Sequence, residues 1–236
     1  MSQPFFIPVS LPHTALVLSD VQTQILARFS PETQATYLAQ IQKLLDFFRA
    51  EIATRRAAGS QSTEASPYDN VPLIVHHTLP FNMNSNAFVS PYNKLAKWVS
   101  KLEASGFFDR TSSDPNHPDY SVPESLTPPT GWGSKDEILL GKLRPDCFAS
   151  SDLLAYLRAR GIRHVILVGL TTMGSILGSA RAGADLDFHI SLVEEGIMDD
   201  DGEVHEILMT KVLPKFVDVV KMDDVLRLGR VAGSSI

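Results

Sequence analysis

The sequence predicts an α/β fold, a three-layer αβα sandwich with a mainly parallel sheet of about six strands, and three observations carry that expectation. Short continuous apolar runs recur, as in ALVL and VPLIV, of the kind found in strands buried on both faces. Helical patterns of about ten to fifteen residues separate many of them. From Asp136 onward strand and helix alternate regularly, which implies right-handed crossovers and helices on both faces of the sheet.

The first strand covers Ala15 to Leu18 in TALVLSD and ends at Asp20. A long amphipathic helix follows, with Ser30 as N-cap, Pro31 in the first turn, and Leu38, Ile41, Leu45, Phe48 and Ile52 at helical spacing as far as Gly59. The stretch SQSTEASPYDN is polar and turn-rich, and VPLIVHH after it reads as a second strand. An irregular excursion then occupies about residues 80 to 134 and surrounds one helix, with Ser90 as cap, Pro91 in the first turn, Leu95, Trp98 and Leu102 on one face, and Gly106 as stop. Its tryptophans and phenylalanines favour a folded wall beside a pocket. Beyond it come strand DEILLG, helix SSDLLAYLRARG, strand RHVILVG, a helix from about Gly174 to Gly183, strand DFHISLV, helix EVHEILMTKVL and strand KFVDVV. Residues 1–236 read as a single domain without repeats.

A chain with 44% hydrophobic and 20% charged residues can bury a sizeable core. Its formal charge of -6 gives no general attraction to nucleic acid or anionic membranes, both of which need clustered Lys and Arg. A small-molecule substrate is the expected partner. The opening MSQPFFIPVSLPH has no basic n-region and is interrupted by prolines, so it does not read as a signal peptide. No apolar run approaches the ~20 residues of a membrane span. The single cysteine, Cys147, excludes an internal disulfide and a multi-cysteine zinc site. A cytoplasmic protein is expected.

Three polar residues fall at or just beyond strand ends: Asp20, Lys142 and Ser175. Parallel α/β sheets bind ligands beyond the carboxyl ends of their strands, which would gather all three on one edge. Each alone suits a cap or a turn; together they are the candidate chemistry. Ser175 is open to three readings: a nucleophile, a bystander, or the remnant of a lost nucleophile. A serine nucleophile needs a strong base within hydrogen-bond reach, and His76 and His77, at the end of the second strand, are the candidates. MGSIL is not the G-x-S-x-G elbow of α/β-hydrolases. Gly169, Gly174, Gly178 and Gly183 do not spell a dinucleotide or phosphate loop, so no cofactor is expected. DDDGE at 199–203 lacks the ligand pattern of a calcium loop and reads as a solvated turn.

The motifs carry a resemblance. LVLSDVQ matches an apolar strand followed by Asp-x-Gln, and KLRPDCF matches Lys-x-x-x-small-small-Phe. GLTTMGSILGSARAGADLDFHISLVEEGI matches Gly-Val-Ala-Thr-x-x-Cys-Val, a small-residue helix, a glycine turn and a strand. From Ala15 to about Leu226, outside the excursion, the chain resembles the isochorismatase-like hydrolases, or cysteine hydrolase superfamily. The resemblance implies Asp20 and Lys142 as catalytic residues, with Ser175 in the place of the nucleophilic cysteine. In most members the aspartate takes the thiol proton, the lysine steadies the charged intermediate and the thiolate attacks an amide carbonyl. A serine hydroxyl is far less acidic than a thiol, so the exchange argues against simple covalent catalysis. Members resembling the true isochorismatases lack the cysteine and hydrolyse an enol ether, with the aspartate as general acid.

The resemblance further implies a cis peptide between Leu170 and Thr171, and an oxyanion site made by the backbone N–H groups of Thr171 and Ser175. Thr172, Gln22, His76 and His77 complete the expected binding surface. HHTLPFN departs from the Asp-x-His metal ligands of nicotinamidase-like relatives, so no metal is expected. A homo-oligomer, dimer or tetramer, is implied as well. Two alternatives to an active Ser175 hydrolase stand: a catalytically silent binding or scaffolding member, and a cysteine amidohydrolase with its nucleophile exchanged for serine to trap a complex.

Overall fold

The computed structural model describes residues 10–59, 71–79, 89–104 and 122–231. The apolar runs form six strands: β1 (Thr14–Ser19), β2 (Leu73–Thr78), β3 (Glu137–Gly141), β4 (His164–Leu170), β5 (His189–Met198) and β6 (Asp218–Val220). They make one sheet in the order β3-β2-β1-β4-β5-β6, and every neighbouring pair is parallel. β1 and β4 are buried along their whole length, as central strands covered on both faces must be.

Helices cover both faces. The long α2 (Pro31–Gly59) follows the single turn α1 (Thr23–Leu26), and the Ser30 hydroxyl caps it by accepting from the Thr33 N–H at 3.2 Å. Ile41, Leu44, Leu45 and Phe48 of α2 bury completely against Leu16, Leu18, Ile74, Ile166 and Val168. The opposite face carries α4 (Leu153–Ala159) and α5 (Leu177–Asp185), whose Leu153, Leu157 and Ala180 pack on Val17, Val75, Val165 and Leu167. Among the described residues no helix is long and apolar enough to cross a membrane.

The structure corrects several sequence expectations. In the excursion, α3 (Leu95–Ala104) begins later than a Ser90 cap implies, with the Asn93 carboxamide accepting from the Leu95 N–H at 2.9 Å. It buries Val99, while Trp98 is 45% exposed. Gly106 and residues 80–88 and 105–121 lie outside the described residues. EVHEILMTKVL divides into α6 (Gly202–Ile207), a π-turn at Leu208–Val212 and a 3-10 turn at Leu213–Lys215, so β6 starts at Asp218 instead of Lys215. Pro214 has no N–H to continue the helical ladder. A last helix, α7 (Met222–Val231), was not anticipated; it buries Met222 and Val225 beside α2.

One glycine is required where β1 meets β4. Gly169 has φ +139°, and a Cβ there would lie 2.0 Å from the Ser19 carbonyl oxygen. Gly169→Ala therefore combines a forbidden backbone with a main-chain clash and is expected to cost about 3 to 5 kcal/mol of stability. Urea denaturation measures it directly.

Candidate active site

Topology brings the three candidates together. Asp20 follows β1, Lys142 follows β3 and Ser175 lies in the turn after β4, all at the carboxyl edge of the sheet. Asp20 adopts φ +56°, a left-handed conformation that Asp tolerates better than most residues. The Lys142 ammonium donates to Asp20 Oδ2 at 2.7 Å, to the Pro145 carbonyl at 2.7 Å and to the Arg144 carbonyl at 3.2 Å. Its three protons thus have three acceptors. The Ser175 hydroxyl donates to the same Pro145 carbonyl at 2.8 Å, so one main-chain oxygen ties the lysine to the serine. Asp20, Lys142 and Ser175 are all buried.

Burial pushes the Asp20 carboxyl up to about 6, against the pull of the Lys142 charge and its hydrogen bond. The Leu79 N–H and the Ser175 hydroxyl lie close enough for their dipoles to add a smaller downward pull, although their hydrogen bonds go to Gln22 and Pro145. Lys142 holds Oδ2, whereas Oδ1 is buried without a hydrogen-bond partner. Oδ1 is therefore the carboxylate oxygen left free of the lysine.

Behind Ser175 lies a row of small polar groups. The Ser19 hydroxyl contacts the Ser175 hydroxyl, and Cys147 Sγ lies 3.1 Å from Ser19 Oγ. Burial raises the Cys147 pKa, so the group is a thiol and can donate. Each group has a single proton and Ser175 commits its own to Pro145, so the row orders as Cys147 to Ser19 to Ser175 to the Pro145 carbonyl. Ser175 Oγ is thus an acceptor from Ser19, with its proton aimed at a carbonyl.

The turn preceding α5 is a π-turn at Thr172–Ile176, and the Leu170–Thr171 peptide is cis. Of the expected oxyanion pair, the Ser175 N–H donates to the Thr171 carbonyl at 3.0 Å. Thr171 Oγ1 accepts from the Gly174 N–H, and Thr172 Oγ1 lies 2.7 Å from His205 Nδ1.

The remaining candidates divide by face. Ser19 and His77 are register partners on the face of Cys147 and Ser175, whereas His76 points to the α2 face. There His76 Nε2 lies 2.8 Å from Glu137, itself held by Arg49 of α2, and Trp132 meets the ring edge-on. His76 is thus set apart from Ser175. His77 is fully buried, and burial with the Lys142 charge lowers its pKa to about 3, so it is neutral. Neither of its ring nitrogens has a hydrogen-bond partner. Gln22 turns its carboxamide to the main chain of Leu79, donating to the carbonyl at 3.1 Å and accepting from the N–H at 2.9 Å. It braces the segment leaving β2.

Sequence reasoning missed Ser19, the Pro145 carbonyl, Asp199 and His205. The aspartates at 199–201 are more than a solvated turn. Asp199 accepts from the Met173 N–H at 2.8 Å, Asp200 pairs with Arg28, and Asp201 caps α6 through the Val204 N–H at 3.1 Å. Only the Asx cap had a local signal, an aspartate just ahead of a helical pattern.

A family model described as an isochorismatase domain matches residues 14–224. Maleamate amidohydrolase of Pseudomonas putida is 30% identical over 111 residues, 47% of this chain and 50% of that protein. Ureidoacrylate amidohydrolase RutB of Caulobacter vibrioides is 35% identical over 77 residues, 33% of this chain and 32% of that protein. The matches therefore span half or less of these relatives' lengths. Among solved structures, a cysteine hydrolase from Pseudomonas syringae pv. phaseolicola aligns with a TM-score of 0.68 at 20% identity, covering 98% of this chain and 100% of that one. An isochorismatase family protein from Burkholderia thailandensis aligns with a TM-score of 0.63 at 18% identity, covering 94% of this chain and 98% of that one. At these identities the structures share the fold.

Proposed function

Because the chain belongs to the isochorismatase family, we propose that it hydrolyses a C–N or C–O bond of a small molecule with Asp20 and Lys142, and that Ser175 stands where most members carry a nucleophilic cysteine. A carboxamide or ureide is the favoured substrate class, in keeping with the amidohydrolase relatives. The observation that carries the reading is the buried Lys142–Asp20 pair at 2.7 Å with Oδ1 left open. In this reading Oδ1 takes a proton from an attacking water, whose oxygen bonds to the substrate carbonyl carbon. Collapse of the tetrahedral intermediate breaks the C–N bond, and Oδ1 returns the proton to the leaving nitrogen. Lys142 holds Oδ2, which orients the carboxylate and favours its ionised form. Ser175 is a polar wall of the pocket, since its proton is directed to Pro145 and its oxygen accepts from Ser19.

The test is a panel of carboxamides, ureides and enol ethers assayed with the protein as it stands, Ser175→Ala and Ser175→Cys. Ser175→Ala is expected to keep kcat within about tenfold of the parent, the loss of one polar contact. A complete loss with Ser175→Ala, accompanied by a burst of acyl-enzyme in the parent, would instead establish a serine nucleophile. Activity confined to Ser175→Cys would make the chemistry thiol-based. A second reading, acid catalysis on an enol ether, draws on the raised Asp20 pKa, which keeps part of the population protonated near neutrality. Absence of multiple turnover on every class would support a silent binding member.

A further inference from the structure

The turn that carries Ser175 is held from outside by residues that belong to neither its strand nor its helix. Thr172 is fully buried, so its hydroxyl needs an internal partner, which is His205 Nδ1 at 2.7 Å, 33 residues further along. The next residue, Met173, is 58% exposed, yet its N–H is also taken from a distance, by Asp199 at 2.8 Å. Asp199 lies three residues before α6, and His205 lies within its last turn. Asp199 accepts from the Asp201 N–H at 3.2 Å, and Asp201 in turn caps the helix bearing His205. Two consecutive turn residues are thus pinned to one short segment, Asp199 to His205.

We propose that His205 and Asp199 are positioning residues that fix the Thr171–Ser175 turn against Asp20 and Lys142. This rests on the reading of that turn as part of the active site. Neither residue transfers a proton to substrate. Their role is to hold Thr172 and Met173 so that Ser175 stays aligned with Pro145 and with Asp20 Oδ1. A loosened turn would shift the Ser175 hydroxyl off the Pro145 carbonyl that it shares with Lys142, so the expected loss is no greater than that of removing the hydroxyl itself.

The experiment compares the full chain with His205→Ala, His205→Asn, Thr172→Val and the His205→Ala/Thr172→Val pair. Asparagine places an amide near the position of Nδ1 and serves as the conservative rescue. The expected result is a loss in kcat of about threefold to tenfold for His205→Ala, within the ceiling set by Ser175→Ala, with KM within about twofold and recovery of most of the rate in His205→Asn. In the pair the losses are less than additive, because each single change breaks the same contact. Additive losses, or a change confined to KM, would overturn the proposal.

A second arm needs no substrate. Hydrogen exchange of the peptide spanning Thr171 to Ile176 is expected to quicken by about tenfold in His205→Ala, while exchange in β1 and β4 is unchanged. Unchanged exchange at the turn would overturn the proposal even if activity fell. Faster exchange at the turn with an unchanged rate on a working substrate would also overturn it. If no compound is turned over by any form, the functional reading fails, and the exchange result alone decides whether His205 holds the turn. Should His205→Ala fail to fold, Thr172→Val with His205→Asn supplies the same comparison.

Discussion

Exchange of Asp20 for asparagine is expected to lower kcat by about two to four orders of magnitude, the usual share of a general acid–base group. Asparagine keeps an oxygen for the Lys142 ammonium but cannot carry a proton on Oδ1. Far-UV circular dichroism of the variant should match that of the parent, so the loss reads as chemistry. An unchanged kcat on an identified substrate would remove Asp20 from the mechanism. The pH dependence separates the two chemistries considered for it. As the base of C–N hydrolysis Asp20 works ionised, so kcat/KM holds above its pKa of about 6 and falls as pH drops through it. As the acid of enol ether hydrolysis it works protonated, and the rate falls as pH rises through the same value. The amide reading therefore predicts an acid limb near pH 6 that disappears with Asp20→Asn.

Much of this site was legible in the sequence, and what escaped did so for identifiable reasons. Asp20, Lys142 and Ser175 end or follow apolar strands, and a parallel sheet places all such ends on one edge, so local pattern and topology together locate them. Pro145 contributes only its carbonyl oxygen, which no side-chain motif encodes. Ser19 sits at the last position of a strand buried throughout, where a serine looks like any small strand residue. For His76 and His77 the sequence gives adjacency but not parity. Their opposite orientations follow from the register with Leu18 and Ser19, which separates an imidazole bound to Glu137 from one beside the site. His205 escaped because its contact is made across 33 residues, and the aspartates before it because charge clusters suggest solvent. The folded turn needed partners from elsewhere for its buried hydroxyl and N–H groups, and hydrogen-bond accounting finds them only once the fold is known.

Replacing Lys142 by methionine is expected to cost stability, and the cost should depend on pH. Methionine fills a similar volume but strips three acceptors of their donor, above all the fully buried Asp20 carboxylate. Breaking a buried ion pair by removing one partner costs about 3 to 5 kcal/mol when the other charge remains. That charge need not remain. The Asp20 pKa is already raised from 3.8 to about 6 by burial, and Lys142 is the main influence holding it down. Without Lys142 it rises further. A carboxyl with a folded pKa above its unfolded value takes up a proton on folding, so stability falls as pH rises between the two values and stays low above the folded one. At pH 5 parent and variant both hold Asp20 largely protonated, and the gap between their urea midpoints should reflect only the Arg144 and Pro145 carbonyls left without a donor. At pH 8 the parent keeps a paired carboxylate, whereas the variant must fold around an unpaired charge or around a proton taken from dilute solution. The gap between midpoints should therefore widen from pH 5 to pH 8. In any variant that still turns over substrate, the acid limb of kcat/KM should move above pH 6. An equal gap at both pH values would mean that Lys142 stabilises the fold through the Arg144 and Pro145 carbonyls and not through the charge of Asp20. The active form of the carboxylate would then have to be sustained by something other than this pair.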